Sequence, residues 1–447
     1  MRVLIVDSGY VGLCMGVVFA KSHDVTLVDI DQAKVDMINR AESPIYEKDI
    51  DTLLSAGISK GSLVAKNTDA EFQPHDVVLI AVGTPSSDDG SVNLDYLKSA
   101  VDWIFSREAQ LCNSDFCVIC IKSTVLPGTT TEIVQKQIDA RNLGSRIASV
   151  FNPEFLREGN AIYDSINPDR IVIGSDNQRA TQLIQSLYES TIESDTVFVE
   201  MSKESSELCK YVSNCFLATK ISFANEIANI AERIPNADID EVMHAVGLDG
   251  RISPKFFGSG AGYGGSCFPK DTIGLISFAE NILKTDSRII RAANEVNKTR
   301  PDRLVDLLLE CVPNIKGKKV AILGLAFKPD TDDTRYSPSY RIIDLLQSQH
   351  AEVWIHDPMM KKILENEDPP KNVTIAYTIE ECLTDTDACI LVTDWSDYKN
   401  AGLASLVAPM RTKIFIDGRR LFVKDEYTQN INYRTIGVLT KCSSIDN

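Results

Sequence analysis

Two stretches of this chain share an order of residues that few folds accommodate. In the first, the β-branched run 2–6 leads into a turn with Gly9 and Gly12, and apolar residues continue through Ala20. In the second, an apolar run ends at Gly324 and a helical pattern follows. A buried strand, a glycine turn and a helix in this order form the repeating unit of a doubly wound parallel sheet. The sequence therefore predicts two Rossmann-like units.

The segments between these stretches predict how the units are arranged along the chain. Apolar runs predict further strands at 24–29, 77–82, 117–121, 171–173, 352–356, 388–392 and 413–416. Residues 204–232 contain no Gly or Pro and are apolar on most sides, which indicates one long, largely buried helix. We expect an α/β protein with two Rossmann-like doubly wound domains joined by a long central helix. The expected domains are 1–198, then 199–300 for connection and dimerisation, and then 301–447.

Composition narrows the class of protein. The 447 residues are 44% apolar, and no run reaches the ~18 residues that a membrane helix requires. The net charge of −17 argues against a nucleic-acid partner. Eleven scattered cysteines suggest reduced thiols and a cytoplasmic location, and the five histidines show no metal-ligand spacing. We expect no membrane partner and no metal.

The first glycine turn carries an incomplete dinucleotide fingerprint. Gly9 and Gly12 fit G-x-G-x-x-G, but Asp7 stands where the first glycine is expected. Asp29 ends the second predicted strand, where an acid binds the ribose diol of NAD and disfavours the phosphate of NADP. NAD is therefore the expected cofactor. Asp7 adds bulk and negative charge, and we expect it to weaken NAD binding by about 1–2 kcal/mol.

A glycine-rich segment places a thiol beside a carboxylate. Residues 261–271 contain Gly262, Gly264 and Gly265, then Cys267, then Asp271 four residues later. The glycines predict a backbone that wraps closely around a small molecule. If a helix starts near Pro269, the carboxylate lies one turn past the thiol, which can serve as a covalent nucleophile. A buried structural cysteine would be the simpler interpretation of this segment alone. Two loops at predicted strand ends, with Thr84-Pro85 and with Thr124, add polar groups where open α/β sheets bind ligands.

Taken together, these residues resemble the NAD-dependent nucleotide-sugar 6-dehydrogenases of the UDP-glucose/GDP-mannose dehydrogenase family. The resemblance covers nearly the whole chain. Its motifs lie at 9–13, 123–128, 152–159, 210–214, 264–271, 327–335 and 417–419. One departure is Tyr336, where relatives usually carry Glu, and it puts one polar contact in doubt.

The resemblance implies a four-electron oxidation of UDP-glucose to UDP-glucuronate, with two NAD reduced and with thiohemiacetal and thioester intermediates on Cys267. It implies that Lys210 and Asn214 hold the developing alkoxide and a water. It also implies that Asp271 positions the water or accepts a proton in the first oxidation, and that Glu154 assists thioester hydrolysis as the base. Thr124 orients the water.

The resemblance implies that domain 1–198 binds NAD and that domain 301–447 binds the UDP-sugar. It also assigns binding residues. The expected cofactor contacts are Gly9, Tyr10, Val11, Gly12, Asp29, Lys34, Thr84, Pro85, Thr124, Glu158, Lys270 and Arg335. The expected substrate contacts are Glu154, Phe155, Leu156, Glu158, Lys210, Asn214, Arg251, Lys255, Phe256, Gly264, Lys328 and Arg419. In relatives, the residue matching Arg251 reaches the sugar site of a neighbouring subunit, and a homodimer is expected.

Three alternatives remain at this point. The same chemistry could act on GDP-mannose or on a UDP-N-acetylhexosamine. A two-electron hydroxyacid dehydrogenase of similar fold would need no thiol, so it would stay active after Cys267→Ala. A sugar-nucleotide binding protein with damaged NAD binding is suggested by Asp7, and it would give no turnover at saturating NAD.

Overall fold

The computed structural model describes residues 1–87, 89–422 and 431–440. The chain divides into two compact units, Met1–Ser213 and Asn214–Asn447. In the described parts of the chain, no helix is both long enough and apolar enough to cross a bilayer.

The first unit is built on an eight-stranded sheet. Its strand order is β3-β2-β1-β4-β5-β6-β7-β8, and every pairing is parallel except β6 with β7. The first six strands have the 3-2-1-4-5-6 order of a dinucleotide-binding sheet. The strands are β1 Arg2–Val6, β2 Asp24–Asp29, β3 Leu63–Asn67, β4 Val77–Ile80, β5 Cys117–Ile121, β6 Ile147–Phe151, β7 Arg170–Gly174 and β8 Val197–Met201.

Helices cover both faces of this sheet, which explains why its central strands are apolar throughout. In β1, Val3 and Ile5 pack into one buried cluster, and Leu4 and Val6 pack into another. The helices are α1 Tyr10–Phe19, α2 Gln32–Asn39, α3 Ile50–Lys60, α4 Asp95–Ser106, α5 Glu108–Leu111, a π-helix Thr130–Gln135, α6 Lys136–Ala140, α7 Ala161–Ile166 and α8 Gln178–Glu189.

The second unit repeats the strand order in a six-stranded parallel sheet, β11-β10-β9-β12-β13-β14. The strands are β9 Lys319–Leu323, β10 Glu352–His356, β11 Val373–Ile375, β12 Ala388–Leu391, β13 Ile414–Asp417 and β14 Asn432–Thr435. The helices that begin in this unit are α10 Ile239–Gly247, α11 Phe268–Ser277, a π-helix Phe278–Ile282, α12 Arg288–Lys298, α13 Arg300–Cys311, α14 Pro338–Ser348, α15 Met360–Asn366, α16 Ile379–Leu383, α17 Ser396–Ala401 and α18 Leu403–Val407.

One helix of 29 residues, α9 Lys203–Ala231, begins in the first unit and ends in the second. Tyr211 and Cys215 are buried, as the apolar pattern predicts. A second apolar set on this helix is 41–64% exposed in the single chain: Leu208, Val212, Phe216, Phe223 and Ile230. The prediction of a long helix is confirmed, but burial on most sides is wrong for the chain taken alone.

The predicted fold class is confirmed, while several strand ends differ. Strand β4 stops at Ile80 rather than 82, and β7 extends one residue beyond the prediction at each end. Cys117 and Cys120 lie in the fully buried strand β5, as expected. Nine cysteines of the described residues are free thiols, but Cys311 is disulfide-bonded. The expectation of reduced thiols is therefore wrong at that position.

Candidate active site

The glycine turn after β1 positions the start of helix α1. Gly9 is the residue before the helix, and a Cβ at Gly12 would lie 1.9 Å from the carbonyl oxygen of Asp7, so only glycine fits there. Asp7 has φ +82°, a conformation that favours glycine. Its Oδ2 accepts a hydrogen bond of 3.1 Å from the Gly9 amide. The side chain of Asp7 thus folds over the start of the helix.

The acid at the end of β2 lies beside this turn. Asp29 is buried, and its Oδ2 accepts hydrogen bonds from the amide and the hydroxyl of Ser8 at 3.0 and 2.5 Å. Burial alone would raise the pKa of Asp29, but these bonds, the amide of Asp31 and the charge of Lys34 lower it below its ordinary value. Ile30, which comes next, is 82% exposed and offers an apolar surface beside the acid.

These residues fit an adenine dinucleotide in most respects. Gly9 and Gly12 bring the start of α1 close to the end of β1, as in a dinucleotide-binding turn, and Asp29 stays ionised at the strand end where a ribose diol binds. The half-buried Lys34 lies near enough to act on both Asp7 and Asp29. Asp7 is the exception, because its carboxylate lies where a diphosphate would approach.

Two further strand ends of the first unit are joined by a hydrogen bond. The hydroxyl of Thr84 donates to the carbonyl oxygen of Thr124 at 2.8 Å, and Ser123 donates to Val82 at 2.7 Å. Thr84 is buried, Thr124 is half-buried, and Pro85 is exposed. The structure brings these two predicted loops together at the carboxyl edge of the sheet.

A buried ion pair joins α9 to the loop after β6. The Nζ of Lys210 lies 2.8 Å from Oε1 of Glu154, and both side chains are at least nine-tenths buried. The other carboxylate oxygen of Glu154 accepts from the amide of Leu156 at 2.7 Å, and Lys210 lies 5.4 Å from the centre of the Phe155 ring. Burial would raise the pKa of Glu154, but Lys210 and these hydrogen bonds lower it. Glu154 therefore stays ionised beside Lys210.

A second buried lysine near this pair was not among the predicted site residues. Lys122 follows β5, and its Nζ donates to Oδ1 of Asn152 at 3.0 Å and to the hydroxyl of Tyr188 at 2.8 Å. Burial lowers the pKa of Lys122 to about 8. Asn152 stands inside one of the motifs that suggested the family, and Lys122 directly precedes another. Their position in or beside these motifs was the available sequence signal. It did not predict the hydrogen bond between Lys122 and Asn152.

Glu47 was also missed. Its carboxylate accepts hydrogen bonds from the hydroxyl of Tyr10 and from the amides of Gly159 at 2.8 Å and Ala161 at 3.0 Å. It therefore joins the fingerprint helix to the loop that carries the half-buried Glu158. The sequence holds no local signal for this, because the partners lie more than 35 residues away.

In the second unit, the predicted thiol and carboxylate lie at the start of helix α11. Cys267 is the half-buried residue before the helix, and its backbone oxygen accepts from the amide of Asp271 at 2.8 Å. Oδ2 of Asp271 accepts from the side-chain amide of Asn214 at 2.6 Å, and Lys270 lies 3.3 Å from Oδ1. The structure thus brings Cys267, Lys270, Asp271 and Asn214 together.

The glycines before Cys267 serve a different purpose from the one the sequence suggested. A Cβ at Gly264 would lie 2.5 Å from the carbonyl oxygen of Tyr336, and one at Gly265 would lie 2.7 Å from the Phe327 ring. The amide of Gly265 donates to the carbonyl oxygen of Arg335 at 2.8 Å. The expectation that this backbone wraps around a small molecule is corrected: it packs against its own chain.

The remaining predicted binding residues lie apart from one another. Arg251 is exposed and pairs with Asp249 at 2.6 Å, and Lys255 is exposed. Phe256 has φ +66° and its ring centre lies 6.1 Å from that of Phe268. No contact in the described ranges joins Arg251 to the thiol group.

Three predicted residues come from the C-terminal sheet region. Arg419 donates to the carbonyl oxygens of Val392 at 2.6 Å and Gly262 at 3.0 Å, which ties it to the glycine segment. Lys328 is half-buried beside the Phe327 ring. Arg335 pairs with Asp333 at 2.7 Å. Among residues 1–87, 89–422 and 431–440, no His, Cys, Asp and Glu side chains are grouped as metal ligands.

A 3-2-1-4-5-6 sheet with a glycine turn after its first strand and an acid ending its second is the arrangement of dinucleotide-dependent dehydrogenases. Residues 1–192 match the NAD binding domain of the UDP-glucose/GDP-mannose dehydrogenase family. Residues 204–299 match its central domain, and 321–424 match its UDP binding domain. The chain belongs to this family. It is an oxidoreductase, and NAD is its cofactor.

Comparison with individual relatives supports the same family. The UDP-glucose 6-dehydrogenase of Rickettsia prowazekii (strain Madrid E) is 37% identical over 445 residues, covering 98% of this chain and 99% of the relative. The solved UDP-glucose dehydrogenase of Pyrobaculum islandicum has a TM-score of 0.87 at 36% identity, covering 98% of each chain. The UDP-D-ManNAc dehydrogenase of Pyrococcus horikoshii has a TM-score of 0.85 at 26% identity, covering 98% of this chain and 100% of that one.

Proposed function

We propose that this protein oxidises UDP-glucose to UDP-glucuronate in two successive two-electron steps. The observation that carries the proposal is the similarity over nearly the whole chain to relatives named for UDP-glucose, at 36–37% identity. The relative named for an N-acetylated sugar is 26% identical. UDP-glucose is therefore favoured over the other sugar nucleotides of the family.

NAD, when bound, accepts the hydride in each oxidation. In the first step the sugar hydroxyl must also lose a proton. We assign this proton to Asp271, directly or through a water, because its carboxylate is buried and oriented by Asn214 at 2.6 Å. The product of the step is an aldehyde.

An aldehyde does not readily give up a hydride until a nucleophile has added to its carbon. The sulfur of Cys267, as the thiolate, forms a bond to that carbon, and the carbonyl oxygen becomes the negatively charged oxygen of a thiohemiacetal. Loss of the second hydride turns the thiohemiacetal into a thioester. The sugar remains bound to the protein throughout, so no aldehyde is released.

Lys210 is the group assigned to stabilise the negative oxygen in these steps. Its Nζ lies 2.8 Å from Glu154 and is buried with it, and a buried cation acts strongly on a developing charge. Thioester hydrolysis needs a base. Glu154 takes one proton from water, and Thr124 orients that water. The C–S bond then breaks to return the Cys267 thiolate and a carboxylic acid, which loses its proton to solvent as the carboxylate product.

Binding roles follow the same proposal. We assign Gly9, Val11 and Gly12 to the cofactor diphosphate, Asp29 and Lys34 to the adenosine ribose, and the exposed Ile30 to one face of the adenine. The remaining proposed cofactor contacts are Tyr10, Thr84, Pro85, Thr124, Glu158, Lys270 and Arg335. The proposed substrate contacts are Glu154, Phe155, Leu156, Glu158, Lys210, Asn214, Arg251, Lys255, Phe256, Gly264, Lys328 and Arg419.

We also propose the wider organisation. The domains are 1–198, 199–300 and 301–447, the protein is cytoplasmic, and it forms a homodimer through α9. The exposed apolar side chains of that helix support the dimer, because contiguous apolar surface of this kind marks an interface. We assign Arg251, an exposed residue that pairs with Asp249, to the sugar site of the second subunit.

The test is the ratio of NADH formed to sugar nucleotide consumed. With limiting UDP-glucose and excess NAD, we expect two NADH per sugar and a product bearing a carboxylate. GDP-mannose and UDP-N-acetylglucosamine are run in parallel, and each should react far more slowly. Two NADH from one of these instead would transfer the proposal to that substrate. One NADH per sugar, unchanged by Cys267→Ala, would indicate a two-electron dehydrogenase.

A further inference from the structure

The carboxylate of Asp7 occupies the start of helix α1. Its Oδ2 lies 3.1 Å from the amide nitrogen of Gly9 and 2.7 Å from the point where a Cβ of Gly9 would stand. The hydrogen-bonded ladder of α1 begins with the amide of Leu13 donating to Gly9 at 2.9 Å. The amides of the first turn precede this ladder, and such amides attract anions.

We propose that Asp7 is an internal competitor of the cofactor diphosphate: its carboxylate holds the anion-binding start of α1 in the free protein, and NAD binds more tightly once that carboxylate is protonated. A fingerprint glycine at position 7 would leave the same amides to the cofactor. The proposal concerns NAD alone, and it holds whatever the sugar substrate is.

The groups that face Asp7 favour a titration near neutral pH. Burial raises its pKa, and Asp29 at the end of β2 raises it further. The amide of Gly9 and the charge of Lys34 on α2 act in the opposite direction, and the pKa is about 6. From β4, the neighbour of the turn is Ala81, which carries no charge.

The sign of the effect follows from linkage. A bound diphosphate adds negative charge beside Asp7, so the bound state takes up a proton more readily than the free state. NAD affinity is therefore greatest below about pH 6 and decreases as the pH rises above that value. A tenfold decrease in NAD affinity by pH 8 corresponds to a pKa of Asp7 that is one unit higher in the NAD-bound state than in the free state.

The experiment is calorimetric titration of NAD and of ADP-ribose, without sugar, at pH 5.5, 6.5, 7.5 and 8.5. ADP-ribose carries the diphosphate without the nicotinamide. Asp7→Asn removes the charge and keeps the bulk, whereas Asp7→Gly removes both. Asp36→Asn, at an exposed site on α2, makes the same charge change away from the turn.

The wild-type protein and Asp36→Asn should bind both ligands about tenfold more weakly at pH 8.5 than at pH 5.5. Asp7→Asn and Asp7→Gly should bind with a nearly constant Kd that matches the low-pH value. The proposal is overturned if Asp7→Asn retains the wild-type slope, or if it binds no more tightly than wild type at pH 8.5. Both outcomes are independent of sugar oxidation.

Discussion

At the scale of single residues, candidate site residues that lie close together in the sequence could be predicted. Residues whose contact partners are distant in the sequence were missed. Cys267 and Asp271 are four residues apart, and a helix start does place them together. Lys122 was missed because its partners Asn152 and Tyr188 lie 30 and 66 residues away. The lysine has no local pattern that distinguishes it from a surface lysine.

The pair of Lys210 and Glu154 gives a prediction about stability. Lys210→Met removes the cation and leaves a buried carboxylate, so the free energy of unfolding should decrease by about 3–5 kcal/mol. The double variant Lys210→Met/Glu154→Gln removes both charges and should recover at least half of that loss. Urea unfolding monitored by circular dichroism provides the measurement.

The exposed pair of Lys21 and Glu193 serves as a matched control, because its atoms lie 2.7 Å apart, close to the 2.8 Å of the buried pair. Lys21→Met should cost less than about 1 kcal/mol. If Lys21→Met and Lys210→Met lower the free energy of unfolding by equal amounts, burial does not account for the contribution of the Lys210–Glu154 pair to stability.

At the scale of elements, central strands were predictable and edge strands were not. The bounds of β1, β2, β5 and β10 agree with the apolar runs because these strands are covered on both faces or nearly so. Strand β8 was missed, since it lies at the edge of its sheet and is largely half-exposed. An edge strand buries too few side chains to leave a clear pattern.

Strand β6 and the glycine segment were missed or misread for other reasons. The run Ile147–Phe151 is fully buried but contains Ala and Ser, so its length and composition fit a helix or a strand. The glycines at 264 and 265 are required by Phe327 and Tyr336, about 60–70 residues away. A glycine pattern indicates that other atoms approach the backbone closely, but it does not identify the residues that supply those atoms.

Gly265 therefore yields a prediction of its own. Gly265→Ala combines φ +83° with a Cβ 2.7 Å from the Phe327 ring, and should lower the free energy of unfolding by about 1–3 kcal/mol. Gly258→Ala is the control, because no atom lies within 4 Å of its added Cβ and its φ is not positive. Thermal unfolding of both variants tests the account. Equal unfolding midpoints for the two variants would contradict the explanation that the close approach of Phe327 requires glycine at position 265.

At the scale of the whole molecule, both units repeat one plan, and this was predictable from the strand-glycine-helix pattern at 2–12 and at 318–324. The pattern could not predict which apolar surface remains exposed to solvent in a single chain. The apolar positions of α9 suggested burial, yet Phe216 is 64% exposed and Ile230 is 51% exposed. Because exposed apolar side chains of this size are costly in water, we expect a second copy to cover them.

Phe216→Glu tests this expectation. A charge placed in the centre of the proposed dimer contact should convert the dimer to a monomer, as measured by light scattering after size exclusion. Tyr163→Glu, at an equally exposed aromatic position on α7, should leave the dimer intact. A wild-type protein that is already monomeric at micromolar concentration, or a dimeric Phe216→Glu, would count against α9 as the interface.

The central claim is that Cys267 forms a covalent bond to the half-oxidised sugar. The direct measurement is mass spectrometry of the acid-quenched enzyme during turnover with UDP-glucose and NAD, using Glu154→Gln to slow thioester hydrolysis. We predict a UDP-glucuronyl group on the peptide that carries Cys267, and none in Cys267→Ala. Free aldehyde accumulating in solution, with the Cys267 peptide unmodified, would contradict the account.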